Sequence, residues 1–148
     1  MNFRQLVKTV DTTNFYIKEL NPVDLKAQYN PERFHMWKSL HTANNKDYLN
    51  MLYSPHLKFL NDNNDDTYFR LQRLFGRNKK WIDEKIKKFL GVCQSIKEVG
   101  ITDNIMVIQR PIVDNKFNTG YEIFEGHHRV SCALYLNIKS VQCVVIRR

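Results

Sequence analysis

The feature that most constrains this chain is a change of period at Gly100. Before it, Ile82, Ile86, Phe89, Cys93 and Ile96 recur at four- and three-residue steps. That spacing predicts an amphipathic helix from about Lys79 to Val99, stopped by Gly100. After it, the helical period is lost. Ile105 to Gln109 and Tyr121 to Phe124 read as strands around a polar turn, Asp114 to Gly120. A helix from about His127 to Leu136 follows, with Val130, Ala133 and Leu134 facing inward and Asn137 at the left-handed stop. Val141 to Ile146, rich in β-branched residues, is the last strand. This order sets a helix between two strands that can run parallel. The expected fold is α+β or α/β: a small mixed sheet in the C-terminal third, with a largely helical N-terminal extension.

The rest of the chain is consistent with one domain of 148 residues, long enough to bury a core. Residues 1–100 read as a mostly helical extension and 101–148 as the core. Asn30-Pro31 and Ser54-Pro55 are N-cap and first-turn signals. The first predicts a helix to about His41 carrying Phe34 and Trp37; the second is followed by Leu57 and Leu60. Asp65 or Asp66 can cap a helix with Tyr68, Leu71, Leu74 and Phe75 inward and Gly76 as its stop. Phe15 to Ile17 can form a short strand. No apolar run is long enough to span a bilayer, and the N-terminus lacks a signal-peptide core. The three cysteines, Cys93, Cys132 and Cys143, are an odd count without paired spacing. A reducing cytoplasm is therefore expected, with Cys93 a small core residue and Cys132 a packing residue.

Charge is uneven. The chain carries net +8, and the stretch from Arg70 to Lys88 holds eight basic residues against Asp83 and Glu84. Such a field attracts anions, including nucleic acid, nucleotides and acidic lipid. A solvated helical face is the plain alternative. Trp81, beside Lys79 and Lys80, can stack on a base or simply anchor the helix.

The densest chemistry is Ile123-Phe124-Glu125-Gly126-His127-His128-Arg129, where a strand ends and a helix begins. The first turn of a helix offers unpaired N–H groups and a partial positive charge. Gly126 lets a ligand approach the backbone. Arg129 can grip phosphate bidentately. His127 and His128 add donors expected to charge near neutral or mildly acid pH. Glu125 can hold Mg²⁺ or take a proton. The same residues can equally cover a helix end. Zinc spacings, Walker and dinucleotide motifs and a serine elbow around Ser131 are absent.

The segment from about Ile105 to Ile146 resembles the core of the ParB/sulfiredoxin superfamily. Glu125, Gly126, His127, His128, Arg129 and Ala133 take the places of that motif, followed by Asn137-Ile138 and the valine-rich strand. The resemblance implies a nucleotide site, with ATP, ADP or CTP as ligand and Mg²⁺ as its companion. It places Gly126, His127, His128 and Arg129 on phosphate, and Glu125 and His128 in catalysis. A free-serine kinase branch with a similar acidic-Gly-His-His-Arg segment suggests a phosphotransferase or NTPase acting on a small hydroxylated substrate. There, Asp47, Asp62, Asp65 and Asp66 are open choices for a second acid. His127 stands where sulfiredoxins carry their cysteine, which argues against sulfinic-acid reduction. Partition proteins continue past this core into a DNA-binding region, which the sequence up to Arg148 does not include, so a role in chromosome partition is not expected. Arg70, Arg73 and Arg77 are expected to close over phosphates from the helical half. The alternative is a non-catalytic nucleic-acid-binding or scaffold protein using residues 70–88.

Overall fold

The structure is a computed structural model that describes residues 15–28, 39–40, 49–110 and 120–147. The helix expected to end near His41, the candidate acid Asp47 and all but Gly120 of the polar turn lie outside these residues.

The architecture is α+β: helices around a five-stranded mixed sheet. The strands are β1 (Phe15–Leu20), β2 (Leu25–Lys26), β3 (Ile105–Arg110), β4 (Gly120–Glu125) and β5 (Val141–Arg147), in the spatial order β1-β5-β3-β4-β2. The described helices longer than one turn are α1 (Pro55–Asp62), α2 (Asp66–Leu74), α3 (Lys79–Val99) and α4 (His127–Tyr135).

Both edges of the sheet come from the N-terminal part of the chain. β1 pairs antiparallel with β5, from Phe15 opposite Ile146 to Leu20 opposite Val141. β2 pairs parallel with β4 through Leu25 and Lys26. The sheet is thus not confined to the C-terminal third. The parallel relation also falls elsewhere than expected. β3 is parallel to β5 and antiparallel to β4, so α4 joins two strands of opposite direction that have β3 between them. The parallel partners are linked by β4 and α4 together.

Local signals explain the helix boundaries. Ser54 Oγ accepts from Leu57 N at 3.1 Å, with Pro55 in the first turn of α1. Asn78 Oδ1 accepts from Trp81 N at 2.9 Å and starts α3, and Gly100 (φ 79) ends it. Asn137 (φ 60) closes α4, with Ile138 N donating to Ala133 O at 2.9 Å. Leu74, expected inside, is 46% exposed, because α2 ends with it and only Tyr68, Leu71 and Gln72 are buried.

Two apolar clusters meet over one face of the sheet. One joins Leu25, Ile105, Val107, Ile123, Val130, Ala133 and Val145. The other joins Phe59, Tyr68, Phe89, Ile96 and Cys132, and it seats α4 on the helical half. Ile101 and Ile138 touch both.

The cysteine expectation fails here. Cys93 on α3 and Cys132 on α4 form a disulfide, with Cα atoms 5.2 Å apart, and Cys143 is free and buried. The pairing spans 39 residues and depends on how two helices cross, which no short spacing encodes. No described helix is long and apolar enough to cross a membrane.

Candidate functional site

The end of β4 carries the chain into a cleft of about 600 Å³. Its floor is Phe124 to Arg129; α3 contributes Lys85, Val92, Ser95 and Ile96; Ile101 to Asp103 close one side. This volume is typical of small-molecule sites. All five residues from Glu125 to Arg129 line it.

Gly126 is the hinge of the site. It sits at the N-cap of α4 with φ 120 and ψ 23, a region that L side chains rarely adopt. A Cβ there would meet Ile105 Cγ1 and Cγ2 at 3.3 Å. The first intrahelical bond runs from Val130 N to Gly126 O at 2.9 Å, so the N–H groups of the first turn precede the ladder. Gly126→Ala is expected to destabilise the fold by about 1–3 kcal/mol, through backbone strain and contact with Ile105. Urea unfolding checks this; a midpoint equal to wild type refutes it.

Arg129 is held in place by its neighbour. Its Nη1 donates to Asn104 O at 2.9 Å, and Nη2 lies beside Gly126, 3.6 Å from where a Cβ would be. The guanidinium thus stands next to the first turn of α4. Lys85 on α3 lines the same cleft and is half-buried, and its pKa is lowered by burial and then by Lys88 and Arg77. Glu125 is exposed, and Asp103 shares the cleft with it.

The two histidines differ from expectation. Burial lowers the His127 pKa to about 4. Burial, then Lys85 and His127, lower that of His128 to about 3. Neither is an imidazolium at neutral pH. His127 Nε2 accepts from Gln28 N at 3.1 Å, which leaves the proton of the neutral ring on Nδ1. His128 Nε2 pairs with Tyr68 Oη at 2.9 Å. Its ring packs edge-on against Phe89 at 4.5 Å and His56 at 5.1 Å. His56 also stacks on His127 at 6.4 Å. Burial raises the Tyr68 pKa, so its phenol stays protonated. His128 therefore locks the start of α4 onto α1, α2 and α3, and His127 ties it to the chain after β2.

The structure does not bring Arg70, Arg73 and Arg77 into the cleft lining; Lys85 takes that position. The three arginines are exposed along α2 and the approach to α3. Asp62, Asp65 and Asp66 are exposed and likewise absent from the lining. Sequence reasoning missed Lys85, His56, Tyr68 and Asp103. Lys85 was hidden within the basic stretch. His56 had only the preceding helix start as a marker. Asn104 and Gln28 act through backbone groups and carry no sequence signal.

For Mg²⁺, the donor set is modest. Among the described residues no cluster of three or more histidine, cysteine or acidic side chains converges. Mg²⁺ commonly takes one or two carboxylates and completes its shell with water and phosphate. Glu125 and Asp103, both on the cleft, fit that mode.

Comparison with protein-family models, with curated proteins and with solved structures yields no match.

Proposed function

We propose that the cleft binds the phosphate groups of a nucleotide such as ATP, ADP or CTP, in a protein with a ParB/sulfiredoxin-like core. One observation carries this reading: Arg129, anchored by Asn104, and Lys85, from α3, line one cleft beside the first turn of α4. Two cations and a helix N-terminus together match a multiply charged anion. Apolar and aromatic lining from Phe75, Phe124 and Ile101 supplies surface for a base or sugar.

Within this reading the roles of the residues follow from their surroundings. Arg129 and Lys85 supply positive charge. Gly126 keeps the backbone open to the ligand. His127 offers a neutral Nδ1–H donor. His128, turned into the aromatic cluster, fixes the helix and is a positioning residue. Glu125 is the one motif group suited to take a proton from an attacking hydroxyl or water, or to hold Mg²⁺. Mg²⁺, when bound, would neutralise phosphate charge. Phosphoryl transfer or hydrolysis is the activity this set supports, because such reactions depend mainly on positioning and charge stabilisation.

Calorimetry with ATP, ADP, CTP and GTP, with and without Mg²⁺, tests the reading. Arg129→Ala is expected to weaken binding by about 30- to 100-fold, as for a lost charge-assisted contact. Binding equal to wild type would remove the phosphate assignment. Glu125→Gln is the partner variant: retained binding with lost turnover supports its proton-transfer role.

A further inference from the structure

The basic residues outside the cleft lie in sequence as a row that leads into it. Arg73 Nη1 donates to Arg77 O at 3.4 Å. The Arg77 guanidinium lies over the Trp81 ring, 4.6 Å from its centroid. Lys85 Nζ lies over the same ring at 5.9 Å, and Lys85 lines the cleft that holds Arg129. Trp81 and Lys85 are four residues apart on α3, about one helical turn and 6 Å, and Arg77 precedes the Asn78 cap that starts this helix. Trp81 is half-buried and covered by these two cations, not by Lys79 or Lys80. Its ring braces Arg77 and Lys85 in line. Lys79 is occupied elsewhere, in an ion pair with Asp83 at 2.6 Å.

We propose that this row is a phosphate track, and that the ligand of the cleft is the phosphorylated end of a single-stranded nucleic acid. The proposal rests on the phosphate-site reading above and names its substrate class. The terminal phosphate sits between Arg129 and Lys85, and the following phosphates run along Lys85, Arg77 and Arg73. A mononucleotide ends inside the cleft and has no group to place on Arg77 or Arg73. A chain of phosphodiesters uses every cation in turn. A single strand suits a row one cation wide that enters a cleft of about 600 Å³. Trp81 is a positioning residue for the track, because its ring holds the protein's own cations, Arg77 and Lys85.

The test is fluorescence anisotropy on the full chain. The probes are oligothymidylates of about five nucleotides carrying a 5′-phosphate, a 3′-phosphate or neither, compared with thymidine monophosphate. One phosphorylated form is expected to bind at least about 10-fold tighter than both the mononucleotide and the unphosphorylated strand. The salt slope for about four contacts is expected near −3, on the rule of about −0.7 per phosphate for single strands. Arg77→Ala, at an exposed position, is expected to lower that slope by about one contact and to leave mononucleotide affinity unchanged. Trp81→Leu is expected to weaken strand binding as Arg77→Ala does and, because the ring also braces Lys85, to weaken mononucleotide binding as well; Trp81→Phe is expected to restore both. Equal affinity for strand and mononucleotide overturns the track and leaves the nucleotide site standing. Strand binding that ignores both the terminal phosphate and Arg129→Ala overturns the track's connection to the cleft. If no mononucleotide binds either, the phosphate-site reading falls with it.

Discussion

Reducing the Cys93–Cys132 disulfide is expected to lower the unfolding free energy by about 4 kcal/mol. The figure follows from the closed loop of 39 residues, whose closure removes conformations from the unfolded chain. For a domain of this length the midpoint of thermal unfolding should fall by roughly 10 °C. The loop contains β3, β4 and the first turns of α4, hence the whole segment from Phe124 to Arg129. The two ends of the bridge sit on α3 and α4, which carry Lys85 and Arg129 into one cleft. Loss of the bridge should therefore loosen the cleft as well as the fold. Cys132 is fully buried, so a serine there adds a packing cost of its own; reduction of the unchanged chain separates the two effects. Thiol counting in denaturant gives the first check. The never-reduced protein should show one thiol, Cys143, and the reduced protein three. Three thiols before reduction, or equal urea midpoints in the two states, would sink the prediction.

Much of the fold was legible because local rules and tertiary packing agree along most of the chain. The stripe from Ile82 to Ile96 and the stop at Gly100 point to one helix, and α3 runs over Lys79–Val99. The β-branched run from Val141 to Ile146 and the left-handed stop at Asn137 were likewise sufficient for β5 and the end of α4. What was not legible is what depends on distant segments. β2 is only Leu25 and Lys26, too short for any period, and it exists because β4 offers an edge. The direction of β5 is set by its place beside β3, which element order does not determine. The motif from Glu125 to Arg129 was found, and all five residues line one cleft. The state of its histidines was not, since the rings that bury His128 come from α1, α2 and α3.

Those histidines carry the second large effect: stability should fall steeply as pH drops below about 6.5. The sign follows from proton counting. In the unfolded chain both rings take up protons near pH 6.5. In the fold, His127 holds out to about pH 4 and His128 to about pH 3. Between these limits the unfolded state binds more protons, so stability rises with pH. The contribution of the neutral rings is complete above about pH 6.5 and is lost as pH falls toward their folded values. Each ring adds a slope of up to about 1.4 kcal/mol per pH unit. The pair together gives a loss on the order of 5 kcal/mol by about pH 4.5. Carboxylates titrate lower, with ordinary values near 4, so the upper half of this window belongs to histidine. NMR of the imidazole C–H signals separates the cases. Two of the chain's five histidines should show no titration between about pH 8 and pH 5. If all five titrate near pH 6.5, burial does not hold these rings neutral and the acid lability has another source. The same result bears on the cleft. With both rings neutral, attraction for an anion must come from Arg129, Lys85 and the first turn of α4. The motif's histidines then set the shape of the site, and its charge is supplied by one residue of the motif and one from the helical half that sequence alone did not single out.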